Sequence, residues 1–374
     1  MNIIVAKKDI LPALSRAASV AAPKSPHPVI SCALLTASKD GLTVSATDLI
    51  VSVQESVAAE VRDAGSVAVH ARDILDRVKL MPDGPVKMSC VDGALTVSAV
   101  GKSRTFKLYS ENGEMFPDFA TRREDAPMVA LPCDAFSKMI SAALRCVNPD
   151  TTSVQSCVRL RWSSSSFDIT ATDGRRGLIL TSSIDGLKDD GASLLPAKAA
   201  RELARACEGR GGVVALSPMW PASFAEIDGV MYAFRHSHEA AWYPPIDRII
   251  EEPRVKVTVS RAAMLDGIRV AATSTEGDNR TARFLFSDGF LRVSAECAKG
   301  DASESIPVDW RAKDRDVLLN SDMANDIVSA TPEDTDITIG LGKDLDPVQI
   351  LSPGLVGVIM PILPEAVRAK GKAR

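Results

Sequence analysis

Residues 39–48, Lys-Asp-Gly-Leu-Thr-Val-Ser-Ala-Thr-Asp, set a Gly-containing turn before a strictly alternating strand whose Leu42, Val44 and Ala46 share one face. The reading returns at 163–173, where a serine run precedes Phe167, Ile169 and Ala171. It returns again at 287–296, where Ser287-Asp288-Gly289 precedes Leu291, Val293 and Ala295. Upstream of each copy a short β-rich stretch runs into an amphipathic helix: 3–5 then 9–20, 128–131 then 134–147, and 255–259 then 260–272. Asp9, Asp134 and Ser260 stand where N-caps belong. A second helix follows in every copy, over 71–80, 197–207 and 321–330, and further alternating strands such as Leu95, Val97 and Ala99 come after it. Pro117, Pro244 and Pro361 close the copies at nearly the same phase. The expectation is three repeated domains, 1–124, 125–251 and 252–374, with a C-terminal extension from about residue 364. Each is an α+β unit with its sheets on one side and two helices on the other.

Composition bounds the chemistry. The chain has 374 residues, is 45% hydrophobic and 25% charged, and its formal net charge is −4, so any polyanionic partner must meet a local patch. No apolar run approaches the roughly 18 residues of a spanning helix, and Met1–Lys8 has no signal-peptide character, so a cytoplasmic protein is expected. Seven scattered cysteines without CxxC spacing favour free thiols over disulfides or zinc.

The charges sort by element. The six helical segments, taken as 7–20, 71–81, 134–147, 197–208, 260–273 and 321–330, hold thirteen basic residues against nine acidic ones, although the whole chain is acidic. Arg72 and Lys79, Lys138 and Arg145, and Lys198, Arg201 and Arg205 recur at spacings that stack along the face opposite the apolar one. Any amphipathic helix carries charge on its wet face; recurrence across equivalent helices is what suggests a common purpose. The segment 321–330 breaks the pattern, with Asp322 and Asp326 and no base.

No catalytic constellation emerges, and neither a metal nor a cofactor is expected. His236 and His238 would share one strand face but lack a third ligand of known spacing. Glu208–Gly212 follows a helix instead of opening one and lacks the Lys-Ser/Thr ending of a phosphate loop, so it reads as a C-cap and turn. Asp48, Asp173 and Glu296 end the repeated strands in three separate copies and read as turn or cap residues.

Ala171-Thr172-Asp173-Gly174-Arg175-Arg176, then Tyr243-Pro244 with Arg248, then Val358-Ile359-Met360-Pro361, carried on a threefold repeat of this length, resemble the bacterial beta sliding clamp family. This is the processivity subunit of DNA polymerase III. The resemblance spans the N-terminal strand to Leu363. It implies the DNA clamp fold, with helices lining a lumen and sheets outside, and two chains joined head to tail into a homodimeric ring around duplex DNA. Twelve helices about 8–10 Å apart would line a circle about 31–38 Å across, wide enough for a duplex. Such a ring needs no catalysis: it holds DNA topologically and touches phosphates without reading sequence. The resemblance makes Lys24 a DNA contact, and the basic stripe adds Arg72, Lys79, Lys138, Arg145, Lys198, Arg201 and Arg205.

The resemblance also implies an apolar pocket for short linear motifs of the polymerase III alpha subunit, the clamp loader and mismatch-repair and ligase partners. Carried over by position, its lining is Thr172, Gly174, Arg175 and Arg176; Pro244, Arg248 and Ile249; and Val358, Met360, Pro361 and Ile362. Arg176 and Arg248 would donate to the peptide over an adaptable apolar floor. Gly177, Gln155 and Asp247 depart from the family pattern, as does a basic tail after Pro364 carrying Arg368, Lys370, Lys372 and Arg374. A specialised clamp copy, with altered partner preference, would show such departures. For ring closure, the edge strand 103–110 is expected to present Phe106 and Leu108 to a partner's third domain near 272–283. The rival readings are a monomeric peptide-binding scaffold and a metal-dependent nuclease using Asp48 or Asp173.

Overall fold

The computed structural model describes residues 1–123, 128–150, 153–184, 190–218, 222–236 and 238–363. Its elements recur three times in one order: a strand, a helix, four or five strands, a second helix and three strands. The first copy comprises β1 (Asn2–Ala6), α1 (Lys7–Val20), β2 (Cys32–Ser38), β3 (Gly41–Thr47), β4 (Val51–Val57), β5 (Ala59–Asp63), β6 (Gly65–His70), α2 (Ala71–Lys79), β7 (Pro85–Val91), β8 (Ala94–Ala99) and β9 (Thr105–Tyr109). The second comprises β10 (Val129–Pro132), α3 (Cys133–Ala143), β11 (Cys157–Trp162), β12 (Ser166–Thr172), β13 (Arg176–Ser183), β14 (Gly191–Pro196), α4 (Ala197–Cys207), β15 (Val213–Ser217), β16 (Ala222–Ile227) and β17 (Val230–Arg235). The third comprises β18 (Val255–Ser260), α5 (Arg261–Ala272), β19 (Thr281–Ser287), β20 (Phe290–Cys297), β21 (Gly300–Pro307), β22 (Arg315–Asn320), α6 (Ser321–Ala330), β23 (Asp336–Leu341), β24 (Val348–Ser352) and β25 (Leu355–Ile359).

These elements gather into two compact units, one of residues 1–137 with 198–237 and the other of 138–197 with 238–374. The first unit holds a five-stranded sheet, β5-β1-β7-β8-β9, and an eight-stranded sheet, β10-β15-β16-β17-β4-β3-β2-β6. The second holds an eight-stranded sheet, β14-β11-β12-β13-β25-β24-β23-β18, and a four-stranded sheet, β21-β20-β19-β22. Each eight-stranded sheet is two four-strand sets from successive repeats, joined by one antiparallel pairing, β17 with β4 or β13 with β25.

Alternation decides which faces are buried. Leu42, Val44 and Ala46, then Phe167, Ile169 and Ala171, then Leu291, Val293 and Ala295 all lie in the core, as do Leu95, Val97 and Ala99. The apolar face of α1, with Ile10, Leu14 and Ala17, packs on β3, and that of α5, with Met264 and Ile268, packs on β20; Phe136 and Ile140 of α3 are likewise buried. Each large side chain removed from water contributes about 1.5–3 kcal/mol. The Ser137 hydroxyl donates to the Ala204 carbonyl at 2.9 Å, tying α3 to α4.

Local details differ from the sequence reading. Asp9 and Asp134 lie inside the first helical turns, since α1 starts at Lys7 and α3 at Cys133. There they complement the positive N-terminal end of the dipole instead of capping it. Ser260 does hold the N-cap position, but its side chain makes no capping bond. The α-helical part of α3 stops at Ala143 and tightens into a 3₁₀ turn over Leu144–Cys146, so Arg145 does not continue the helical stripe begun by Lys138. His236 and His238 lie beyond the end of β17, not on a strand face, and the His236 ring meets the Ser223 hydroxyl at 2.9 Å. All seven cysteines are free. Gly209 and Gly212 turn the chain after α4 with φ of +64° and +96°.

Candidate functional site

Three distant segments of the second unit meet around the end of β12. The strand ends at Thr172, which is buried; its backbone N–H donates to the Tyr243 hydroxyl at 3.1 Å, and its own hydroxyl donates to the Arg176 carbonyl at 2.7 Å. The Tyr243 hydroxyl in turn donates toward the Cys157 carbonyl at 3.2 Å. Burial pushes the Tyr243 phenol far up, so it remains a neutral donor and acceptor. Asp173 then turns the chain: one carboxylate oxygen accepts from the backbone N–H groups of Arg175 and Arg176 at 2.9 and 3.0 Å. Gly174 takes φ +85°, a conformation that costs glycine nothing. The Met360 N–H donates to the Arg175 carbonyl at 2.8 Å, and Arg176 pairs with Ile359 across the β13–β25 ladder. The third segment is therefore registered on the first by backbone bonds.

Gly177 shows how tightly these pieces fit. A Cβ there would lie 2.8 Å from Cδ1 of Ile246 and 3.3 Å from Cγ2 of Val358, so Ile246, from the 3₁₀ turn after Tyr243, occupies the space an apolar side chain would take. Asp247 on that turn pairs with Arg161 at 3.2 Å. Gln155 sits beside Gly174, its Nε2 3.5 Å from where a Cβ would be. Around this buried floor the exposed groups are Arg175, Arg248, Ile249 and Met360, with Trp242 nearby in sequence. Pro244, Pro361 and Ile362 are half-buried, Val358 is buried, and the Ile362 N–H donates to the Leu318 carbonyl at 2.8 Å.

Arg176 is committed internally. Its guanidinium bonds Asp326 at 2.6 Å and Asp173 at 3.1 Å and also donates to the Arg145 carbonyl, leaving its side chain 12% exposed. The exposed arginines beside it are Arg175 and Arg248. Asp326 lies 150 positions away, on the helix singled out only for lacking bases, and no sequence signal connects the two.

The helix cations are placed as follows. Arg72, Lys79, Lys138, Arg201 and Arg205 are exposed, and so is Lys24 in the loop after α1. Lys79 lies 4.0 Å from Asp76, and Arg205 lies 3.2 Å from Glu202. Lys198 is held by Asp48 at 2.5 Å and by the Val20 carbonyl at 3.0 Å, which makes it part of the fold of its own unit. Arg145 sits 3.6 Å from Asp326. Asp48 and Asp173 accept turn N–H groups, whereas Glu296 is a strand residue in β20. No cluster of three metal-binding side chains occurs among the described residues, and no described helix is long and apolar enough to cross a membrane.

Strand β9 is the outer strand of the five-stranded sheet. Leu108, expected to face a partner, is instead buried at 5% exposure and Phe106 is half-buried, because strand alternation turns both toward their own core. Lys107 and Tyr109 point outward. The segment expected opposite, 272–283, leads into β19, which is flanked by β20 and β22 and offers no free edge. The basic tail after Pro364 lies outside the described residues.

A thrice-repeated α+β module with sheets fused across successive repeats defines a DNA-clamp-fold protein. Residues 1–120 match the family of the DNA polymerase III beta subunit, N-terminal domain. The chain is 22% identical to the beta sliding clamp of Chlamydia pneumoniae over 369 residues, covering 97% of this chain and 99% of that one. It is 26% identical to that of Synechocystis over 395 residues, covering 98% and 99%. Among solved structures, the DNA polymerase sliding clamp of Bacillus subtilis superposes with a TM-score of 0.90 at 17% identity, covering 97% of this chain and 99% of that one. The C. crescentus beta sliding clamp does so at 0.90 and 19%, covering 97% and 100%. Residues 1–120 thus match the DNA polymerase III beta subunit family, and the chain is similar to bacterial beta sliding clamps along nearly its whole length.

Proposed function

We propose that this chain works as a ring: two copies, head to tail, encircle duplex DNA and tether the replicative polymerase and other motif-bearing partners, conferring processivity without catalysis. The three domains are 1–124, 125–251 and 252–374. The observation that carries the reading is the sidedness of the helices. On α2 and α4 the apolar residues are buried while Arg72, Lys79, Arg201 and Arg205 are exposed. Exposed cations on rigid helices suit phosphate contacts that are many, weak and indifferent to sequence, which is what sliding requires. Lys24 and Lys138 join them in this reading. Lys198 and Arg145, tied to Asp48 and Asp326, act chiefly as supports.

The surface over Gly177, Ile246 and Val358, flanked by Arg175, Arg248, Ile249 and Met360, is the seat for partner peptides in this reading. Thr172, Gly174, Arg176, Pro244, Pro361 and Ile362 shape it from below and beside. Met and Ile supply an adaptable apolar surface, and the two arginines supply donors for carbonyls or carboxylates. The polymerase alpha subunit and the clamp loader are the partners this family implies.

The deciding experiment is retention on DNA of two topologies. A ring loaded by a clamp loader stays on nicked circular DNA in high salt and is lost when the same DNA is linearised. Equal loss from both forms would refute the ring. A sedimentation mass of one chain at all concentrations would favour the monomeric scaffold.

A further inference from the structure

We infer that the third repeat carries a binding site for a small phosphomonoester, in the cavity between Arg254, the segment after β21 and the turn that joins β23 to β24. The site shares no residue with the helix cations or with the peptide seat proposed above, so it stands whether or not that reading does.

Two connections of the third repeat build its walls. After β21 the Val308 N–H donates to the Gly289 carbonyl at 2.9 Å and the Trp310 N–H to the Val308 carbonyl at 3.0 Å. The chain so held packs the Trp310 indole on Phe286, with ring centroids 4.9 Å apart, and leaves Trp310 only 7% exposed. After β23 the Lys343 N–H donates to the Asp346 carboxylate at 2.6 Å, which fixes the turn. Arg315 braces it, bonding Asp344 and, at 3.0 Å, the Gly342 carbonyl. Arg254 enters beside this turn because the next residue, Val255, pairs with Leu341 in the β18–β23 ladder. The space they enclose is about 490 Å³.

Three features of the cavity point to one kind of ligand. The first is a donor without an acceptor: Nε1 of Trp310 is buried and has no hydrogen-bond partner among the described residues. Burying an N–H unpaired is costly, so an acceptor brought from outside is favoured. The second is charge. Arg254, Lys313, Arg315 and Lys343 line the cavity against Asp314 and Asp344, an excess of two positive charges on a chain whose net charge is −4. Arg315 is spent on Asp344, whereas Arg254, Lys313 and Lys343 are exposed and have no ion-pair partner among the described residues. The third is size: sites for small organic ligands run to about 300–1,000 Å³, so this cavity has room for a phosphate and an organic body.

A phosphomonoester satisfies all three. Its phosphate carries about −1.5 to −2 charge at neutral pH and offers three acceptor oxygens to guanidinium, ammonium and indole donors. Its organic body would lie against Val255 and Leu341, the apolar part of the lining. A carboxylate would leave one positive charge unmatched, and bare phosphate would leave the apolar wall uncovered.

Titration of the full chain, labelled with ¹⁵N at tryptophan, tests the site. The Trp310 indole resonance is identified by its loss in Trp310→Phe. In phosphate-free buffer at constant ionic strength, adenosine monophosphate and glycerol 3-phosphate are expected to shift it saturably, with a Kd below about 1 mM. Arg254→Gln/Lys343→Gln, which changes two exposed side chains, is expected to weaken both by about tenfold or more, and acetate should bind about tenfold more weakly than either ester. A response to only one of the two esters supports the site and names its organic body. No shift with either ester up to about 10 mM, a shift undiminished in the double variant, or acetate binding as tightly as the esters overturns the proposal.

Discussion

Arg176 and Asp326, 150 positions apart, meet at 2.6 Å, so a residue expected to hold partner peptides instead fastens β13 to α6. The guanidinium is nearly enclosed, and its second carboxylate, Asp173, also caps the turn that presents Arg175. The pair therefore couples the turn that presents Arg175 to the packing of the third repeat's second helix.

Asp326→Ala is expected to destabilise the protein by about 2–3 kcal/mol, because it leaves a largely buried guanidinium short of a partner. Urea unfolding measures this. Peptide binding to the proposed seat should weaken with it, while Arg248→Ala should weaken binding without changing the unfolding midpoint.

Gly177→Leu forces a side chain into the place of Ile246, which is itself buried. Overpacking of this kind costs about 1–3 kcal/mol. Gly177→Leu combined with Ile246→Ala should recover most of the loss, as thermal unfolding would show; an undiminished deficit would mean the two side chains do not compete for one space.

Arg201→Glu is expected to lower DNA affinity and to reduce the steepness of its salt dependence by about one phosphate contact per chain. Lys198→Ala should act differently, because the ammonium is spent on Asp48 and the Val20 carbonyl. Its effect should fall on stability, with a small change in salt slope. Titrations of duplex DNA at several salt concentrations separate the two.

Alkaline pH should unfold this protein through its thiols. Burial pushes Cys146 up to about 12, against the opposing pull of Arg176, and Cys207, beside Cys133, likewise to about 12; Cys32 rises to about 11. In the unfolded chain these thiols ionise near their ordinary value of about 8.5, while the folded state keeps its protons. The stability they support is complete below that value and falls as pH climbs toward 11–12. Cys146→Ala should flatten the fall in stability between pH 9 and 11, and Cys146 in the native protein should resist alkylation at pH 8.

The repeat, the alternating strands, the helix pairs and the buried apolar faces were legible from residue types alone, because the spacing of apolar side chains is set by the period of helix or strand whatever surrounds them. The family motifs likewise pointed to the segments that meet around the end of β12. Which polar residue serves which partner was decided by tertiary structure. Arg176 and Lys198 look like free cations in sequence, yet each finds a carboxylate brought from far along the chain. Phe106 and Leu108 look like an apolar edge for a partner, yet the sheet turns them inward and leaves Lys107 outside. Apolar pattern is local and periodic; charge pairing and strand-edge exposure depend on what the fold places alongside, and no spacing rule in one dimension encodes that.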